Sequence, residues 1–113
     1  MSKRFDVLLV NDGRITPQVV EKLRPLHEVR VANSLRDVVE ELVRRVPDVM
    51  VSHLYLPPYR GDVLLAMVAR EHPEVRRVLL VGNCEINDCL AGVAHVTLTE
   101  PDSDAILKAI DED

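Results

Sequence analysis

Apolar and polar residues alternate along the chain in blocks whose lengths and spacings predict ten regular elements. Short apolar runs, typical of buried strands, predict strands at residues 5–10, 28–32, 48–54, 78–81 and 94–99. Stretches with apolar residues three and four apart, or with a capping residue in front, predict helices at about 16–26, 34–46, 61–72, 83–92 and 101–110. Strands and helices therefore alternate along the whole chain.

This alternation predicts an α/β fold with a five-stranded parallel sheet covered by helices on both faces, because the connections have the length of βαβ units. We expect the flavodoxin-like, doubly wound (βα)5 arrangement with strand order 2-1-3-4-5, built as one domain over residues 1–113. Ligands bind such folds at the carboxyl ends of strands one and three. In this chain that crevice would hold Asn11, Asp12 and His53, with Gly82 and the end of strand five beside it.

The second and third predicted helices each have one apolar side that is expected to face the sheet. Ser34 precedes the second helix as a capping residue, with Asp37 three positions later. The apolar positions of that helix are Leu35, Val38, Val39, Leu42, Val43 and Val46. The inward positions expected in the third helix are Val63, Leu64, Met67 and Val68. The charged side of the second helix is expected to be solvated, and it comprises Arg36, Glu40, Glu41, Arg44 and Arg45.

Composition narrows the class of protein. With 113 residues and 47% apolar side chains, the chain can bury one core. The formal charge of −5 and the lack of a Lys/Arg run leave no phosphate-binding stripe, so no nucleic-acid partner is expected. No apolar run reaches the roughly 18 residues of a membrane span, so no membrane partner is expected. Cys84 and Cys89 lack C-x-x-C spacing and favour reduced thiols, which predicts a cytoplasmic location.

The most informative stretch runs from Pro47 to Gly61 and reads P-D-V-M-V-S-H-L-Y-L-P-P-Y-R-G. It resembles the third strand and following loop of the response-regulator receiver family, because Pro57 and Gly61 stand at the family's spacing after His53. In that family the residue at position 53 is the aspartate that accepts a phosphoryl group. The resemblance therefore implies a phosphoacceptor position that has lost its carboxylate.

Two further pairs of residues match positions of the family but change their chemistry. Asn11 and Asp12 end the first strand, where the family has an acidic pair that helps to hold a divalent metal, and only Asp12 keeps a carboxylate. Glu100 and Pro101 follow the fifth strand, where the family has a lysine and a proline joined by a cis bond. The resemblance therefore makes Pro101 a cis-proline candidate and replaces a cation by a carboxylate.

The positions with which the family senses the phosphoryl group are altered as well. Gly82 stands where the family has a hydroxyl residue at the end of strand four, and Thr97 stands where it has the switch aromatic of strand five. Together with His53, these exchanges imply a receiver-like domain that is not phosphorylated on aspartate. We expect no enzymatic activity and no resident cofactor, with weak binding of a divalent metal left open.

The resemblance implies an interaction module of bacterial signalling, which docks protein partners or forms a homodimer through helix four, strand five and helix five. His53 leaves alternatives open. It can fill the crevice and hydrogen-bond Asp12 or Glu100, ligate zinc or manganese together with them, or accept a phosphoryl group on its imidazole. A sensor of a metal or small ligand around His53 is therefore the competing hypothesis.

Overall fold

The computed structural model describes residues 4–10, 17–56, 59–81, 92–98 and 103–111. Its elements in chain order are β1 (Asp6–Val10), α1 (Pro17–Leu23), β2 (Glu28–Ala32), α2 (Leu35–Arg44), β3 (Val49–His53), β4 (Tyr55–Leu56), β5 (Tyr59–Arg60), α3 (Gly61–Glu71), β6 (Arg76–Leu80), β7 (Val96–Leu98) and α4 (Ser103–Asp111). The helix predicted at 83–92 falls almost wholly outside the described residues. None of the helices in the described ranges is long and apolar enough to cross a membrane.

Five strands form one parallel sheet in the order β2-β1-β3-β6-β7. Counted without the two short strands β4 and β5, this order is 2-1-3-4-5, which confirms the predicted doubly wound α/β fold. Val10 at the end of β1 pairs with Ser52 near the end of β3. The carboxyl ends of these two strands are therefore neighbours, as the strand order requires. β4 and β5 form a small antiparallel ladder where only a loop was expected.

Alternate residues of the strands feed two cores, one on each face of the sheet, because successive side chains of a strand point to opposite faces. Val7 and Leu9 of β1 join the core that α1 and α4 cover. Leu8 and Val10 join the core that α2 and α3 cover. A strand buried on both faces reads as a continuous apolar run, which is why β1 and β3 could be predicted from the sequence.

The start of β6 differs from the prediction, since the strand begins at Arg76 rather than at residue 78. Arg77 is buried, and its guanidinium donates to the backbone oxygens of Val93 (2.8 Å) and Val75 (3.0 Å). A buried cation is tolerated when its N–H groups are hydrogen-bonded. A charged residue can therefore occupy an inner position of the strand, which the apolar pattern alone does not indicate.

α2 has the predicted N-cap but not the predicted burial. The Ser34 hydroxyl accepts a hydrogen bond from the backbone N–H of Asp37 at 3.1 Å. Val38 is fully buried, whereas Val39 is 54% and Val43 is 83% exposed. The helix packs near β2, at the edge of the sheet, so only part of its apolar side meets the core. The prediction of a fully inward stripe was wrong for this helix.

α3 likewise exposes two residues that were expected to point inward. Leu64 and Val68 are buried as predicted, but Val63 and Met67 are exposed. Leu65 is fully buried in their place. The helix lies over β3 and β6, and this turns the side that carries Leu65 toward the sheet.

The charged side of α2 is not simply solvated. Arg30 of β2 is 13% exposed and forms ion pairs with Asp6 (3.1 Å) and with Glu41 of α2 (2.9 Å). Arg45 pairs in turn with Asp6 (2.7 Å) and Glu28 (2.9 Å). These alternating charges join the end of α2 to the first two strands. The expectation of a solvated face was therefore wrong for Glu41, whereas Arg45 is exposed as expected although it forms ion pairs.

Candidate functional site

His53 ends β3, the central strand of the sheet, and is only 6% exposed. Its backbone is held against β6, where Leu80 is its register partner. The next residue, Leu54, continues this pairing by donating its N–H to the Leu80 oxygen at 2.8 Å. The imidazole-bearing residue therefore lies at the carboxyl end of the central strand, next to the end of β1.

A tight contact fixes the loop that follows His53. A Cβ atom added to Gly61 would overlap the carbonyl oxygen of His53 and would lie 2.7 Å from the Ser52 hydroxyl oxygen. The Gly61 N–H donates to the oxygen of Leu54 at 2.7 Å, and the Ser52 hydroxyl donates to the oxygen of His53 at 3.0 Å. Only glycine fits this approach between the two backbones. The eight-residue spacing from His53 to Gly61 therefore reflects a packing requirement of the loop.

A buried carboxylate, which the sequence reasoning missed, begins the next helix. Asp62 is fully buried in the first turn of α3. The Arg60 guanidinium donates to both of its carboxylate oxygens, at 3.0 and 2.9 Å. The N-terminus of a helix also favours a negative charge. The available sequence signal was an acid in the first turn two residues after an arginine. Its burial accompanies the close contact of the preceding residue, Gly61, with the main chain of His53.

Thr97, the predicted substitute for the switch aromatic, lies in β7 opposite Leu79 of β6 and is exposed. The end of this strand is held by a hydrogen bond of 2.8 Å from the Val81 N–H to the oxygen of Leu98. The remaining predicted site residues, Asn11, Asp12, Gly82, Glu100 and Pro101, lie outside the described residues. The hydrogen bonds expected from the crevice histidine to Asp12 or Glu100 therefore stay a prediction.

His53, the predicted site residue that the structure describes in the crevice, is a poor ligand for magnesium. Magnesium prefers hard oxygen ligands in octahedral geometry, and the buried side chain that ends β3 is an imidazole. In the part of the chain that the structure describes, no three His, Cys, Asp or Glu side chains are grouped closely enough to hold a metal ion. Whether Asp12 and Glu100 complete a set of ligands for a softer metal stays a hypothesis.

A second buried histidine lies away from the crevice, just before the amino end of β2. His27 is fully buried, and its Nδ1 accepts a hydrogen bond of 3.1 Å from the backbone N–H of Phe5. The two rings also pack together, with their centroids 5.7 Å apart. Burial lowers the pKa of His27 below its usual 6.5; the nearby carboxylate of Asp111 opposes this shift and Arg4 adds to it. His27 is therefore a structural residue held in its neutral form.

His95 repeats this arrangement before β7. Its Nδ1 accepts a hydrogen bond of 2.9 Å from the backbone N–H of Arg77 in β6. His95 is exposed as a residue, unlike His27, but partial desolvation of its imidazole lowers its pKa, and the positive charges of Arg77 and Arg76 lower it further. A protonated imidazole has no acceptor nitrogen, so protonation would remove this hydrogen bond. Both histidines therefore join neighbouring backbone segments at the opposite end of the strands from His53.

Comparisons with known proteins agree with this architecture. No protein-family model matches the chain. The luminescence regulatory protein LuxO of Vibrio campbellii is 26% identical over 68 residues, which are 60% of this chain and 15% of LuxO. The chain thus spans only a small part of that relative. The structure of response regulator DrrB from Thermotoga maritima has a TM-score of 0.77 and 25% identity over 95% of this chain and 50% of that one.

The structure of a BeF3-activated DrrB receiver domain has a TM-score of 0.80, with 22% identity over 96% of this chain and 95% of that domain. The match therefore includes nearly all of this chain and nearly all of that receiver domain. The agreement in strand order and the coverage of both chains lead to one conclusion: this chain has the flavodoxin-like fold of a response-regulator receiver domain.

Proposed function

We propose that this chain is a receiver module of two-component signalling that works without phosphorylation of an aspartate. The observation that carries the proposal is His53 at the buried carboxyl end of the central strand. An acyl phosphate requires a carboxylate nucleophile, and imidazole cannot form one. The fold is retained while the residue on which an aspartyl-phosphate switch depends is absent from that position.

The charges expected around the crevice also oppose an incoming phosphate. In the sequence, Glu100 stands where the resembled family has a lysine. A lysine would attract the phosphoryl oxygens, whereas a carboxylate repels them. At an effective dielectric constant of about 20, two unit charges about 4 Å apart interact by about 4 kcal/mol. This change from attraction to repulsion is large enough to abolish the binding of phosphoryl oxygens by this side chain and not merely to weaken it.

A receiver module without the switch would act by docking a protein partner in a single, constitutive state. The names of the compared proteins, a regulatory protein and response regulators, support a signalling role. The surface that we first expect to serve is built by β7, by α4, which is the fifth of the predicted helices, and by the helix predicted at 83–92. It would bind a protein partner or form a homodimer. On this proposal the module has no enzymatic activity, carries no resident cofactor and works in the cytoplasm.

The test is intact-mass spectrometry after incubation with acetyl phosphate and magnesium. The wild-type chain should gain no phosphoryl group. A His53→Asp/Glu100→Lys double variant puts back the aspartate acceptor and the lysine of the resembled family. It serves as the positive control for the reagent. His53→Asp alone separates the role of the acceptor from that of the clamp.

Labelling of the wild type would overturn the proposal. If that label is labile in acid and is lost in His53→Ala, the imidazole is a phosphohistidine acceptor. If the label persists in His53→Ala, another side chain accepts the phosphoryl group. Either result would make this chain a switch with an unusual acceptor.

A further inference from the structure

One short connection joins the end of β3, where His53 lies, to the start of α3 at Gly61. Within this connection β4 and β5 pair antiparallel, with Tyr55 opposite Arg60. The connection therefore folds back on itself, and the Gly61 N–H reaches the oxygen of Leu54 at 2.7 Å. Along the chain, a change at position 53 would reach α3 through this junction first.

The junction is closed by an ion pair with one buried and one exposed end. Arg60 ends β5 and Asp62 is in the first turn of α3, so the pair spans the boundary between the small ladder and the helix. Two nitrogens of the Arg60 guanidinium donate to the two carboxylate oxygens, at 3.0 and 2.9 Å. One of these oxygens also accepts the backbone N–H of Val63 at 2.9 Å. We call the ion pair between Arg60 and Asp62 the junction clasp.

The junction clasp resists opening because its carboxylate is buried. The side chain of Asp62 has no exposed surface, whereas that of Arg60 is 49% exposed. A two-point contact between a guanidinium and a carboxylate fixes orientation as well as distance. Solvent screens the exposed arginine end, but a buried carboxylate that loses such a partner is strongly destabilising. Separating the start of α3 from β5 is therefore less favourable than breaking an ordinary surface ion pair.

The contacts that hold the junction against β3 involve the main chain at position 53. The carbonyl oxygen of His53 fills the space of a Cβ atom on Gly61, and it accepts a hydrogen bond of 3.0 Å from the Ser52 hydroxyl. The neighbouring hydrogen bond, from the Gly61 N–H, also ends on a carbonyl oxygen. These contacts do not depend on which side chain position 53 carries. A change of chemistry in the crevice would therefore leave them in place.

We propose that the junction clasp locks α3 in one position on the sheet, whatever charge position 53 carries. The clasp holds the first turn of α3 to β5, while the main-chain contacts hold Gly61 to the end of β3. The helix is insensitive to events in the crevice as long as Arg60 and Asp62 stay paired. This inference rests on the proposed function and deepens it, because it gives the single, constitutive state a structural cause.

A comparison of two backgrounds by NMR tests the lock, with no phosphate donor present. His53→Asp places a negative charge at the end of β3, and the backbone amide signals of Leu65 and Val68 report on α3. With the clasp intact, the substitution should shift these two signals little. In an Arg60→Gln background the same substitution should shift both signals further. The direct effect of the new charge is common to both backgrounds, so it cancels in the difference.

Two further variants separate the lock from a general contribution to stability. Arg60→Gln/Asp62→Asn removes the clasp without leaving a buried charge, so it should keep the fold and still transmit the effect of His53→Asp to α3. Arg70→Gln removes an exposed arginine from the last turn of the same helix and should behave as the wild type. Circular dichroism of each variant checks that the fold is retained.

Two results would overturn the proposal. If His53→Asp shifts the signals of α3 equally in the wild type and in Arg60→Gln/Asp62→Asn, the ion pair contributes only to stability. If it shifts them strongly while the clasp is intact, α3 is not locked. Neither result bears on the phosphorylation test, because the mass of the wild-type chain decides the proposed function separately.

Discussion

The carbonyl oxygen of His53 fills the space that a Cβ atom on Gly61 would occupy. Both neighbours of that space belong to β3, which cannot move without disturbing the centre of the sheet. We therefore expect Gly61→Ala to lower the free energy of unfolding by about 3 kcal/mol or more, at the upper end of overpacking effects. Urea denaturation followed by circular dichroism measures this loss.

Gly92→Ala is the matched control for this change. No heavy atom of the described residues lies within 4 Å of a Cβ built on Gly92, but its φ of +76° disfavours other residues. The loss should be about 1 kcal/mol, from backbone conformation alone. Equal losses for the two variants would show that the contact with His53 is not what requires glycine at position 61.

Two histidines that accept hydrogen bonds from the backbone, the buried His27 and the more exposed His95, predict that the protein loses stability in weak acid. Burial lowers the pKa values of His27 and His95 in the folded chain below the usual 6.5. Between the folded and the unfolded pKa, the unfolded chain binds more protons, so stability falls as the pH drops below about 6.5. Protonation also removes the acceptor nitrogen to which Phe5 and Arg77 donate.

Urea midpoints measured from about pH 7.5 to about pH 5.5 check this prediction. A His27→Gln/His95→Gln double variant offers side-chain oxygens as acceptors and does not titrate, so its midpoint should change less over this range. If the double variant lost as much stability in acid as the wild type, groups other than His27 and His95 would cause the loss.

Arg30 is the ion-pair partner whose replacement should lower the free energy of unfolding most. It is 13% exposed and lies between the carboxylates of Asp6 and Glu41, and its loss would leave two partly buried negative charges without this cation. We expect Arg30→Met to destabilise the fold by about 3 kcal/mol, the range for breaking a buried pair from one side. Arg45→Met removes a half-exposed arginine from the same group of charges and should cost less.

Chemical denaturation at low and high salt measures both variants. Screening acts mainly on exposed charges, so added salt should reduce the effect of Arg45→Met more than that of Arg30→Met. If the two variants lose equal stability, then the ion pairs of Arg30 are not stronger for being less exposed than those of Arg45.

The sheet could be predicted because its strands carry local signals. A run of apolar residues bounded by Pro47 and a later proline marks β3, and its position fixes that of His53. The burial of a helix stripe cannot be predicted in the same way. The periodicity of α2 shows that Val39 and Val43 share a side with Val38. Only the position of the helix at the edge of the sheet decides which of them meets the core.

Buried charges escaped prediction for a related reason, since partners from other segments determine them. Arg30 is satisfied by Asp6, twenty-four residues away. Arg77 donates to the backbone oxygen of Val93, sixteen residues away, which only the fold brings close to it. Asp62 is the exception, because its partner Arg60 is two residues away and the signal was visible in the sequence. The ion pair of Asp62 with Arg60 could therefore have been predicted, although its burial could not.

The competing hypothesis, a metal sensor at His53, makes a separate prediction that calorimetry can test. We expect titration of the wild type with zinc or manganese to show no tight site, because no three potential ligands are grouped in the described part of the chain. Any weak binding should persist unchanged in His53→Ala. A tight site that disappears in His53→Ala and weakens in both Asp12→Asn and Glu100→Gln would establish the sensor. A His72→Ala variant controls for adventitious binding to a more exposed imidazole, since its removal should not affect a site in the crevice.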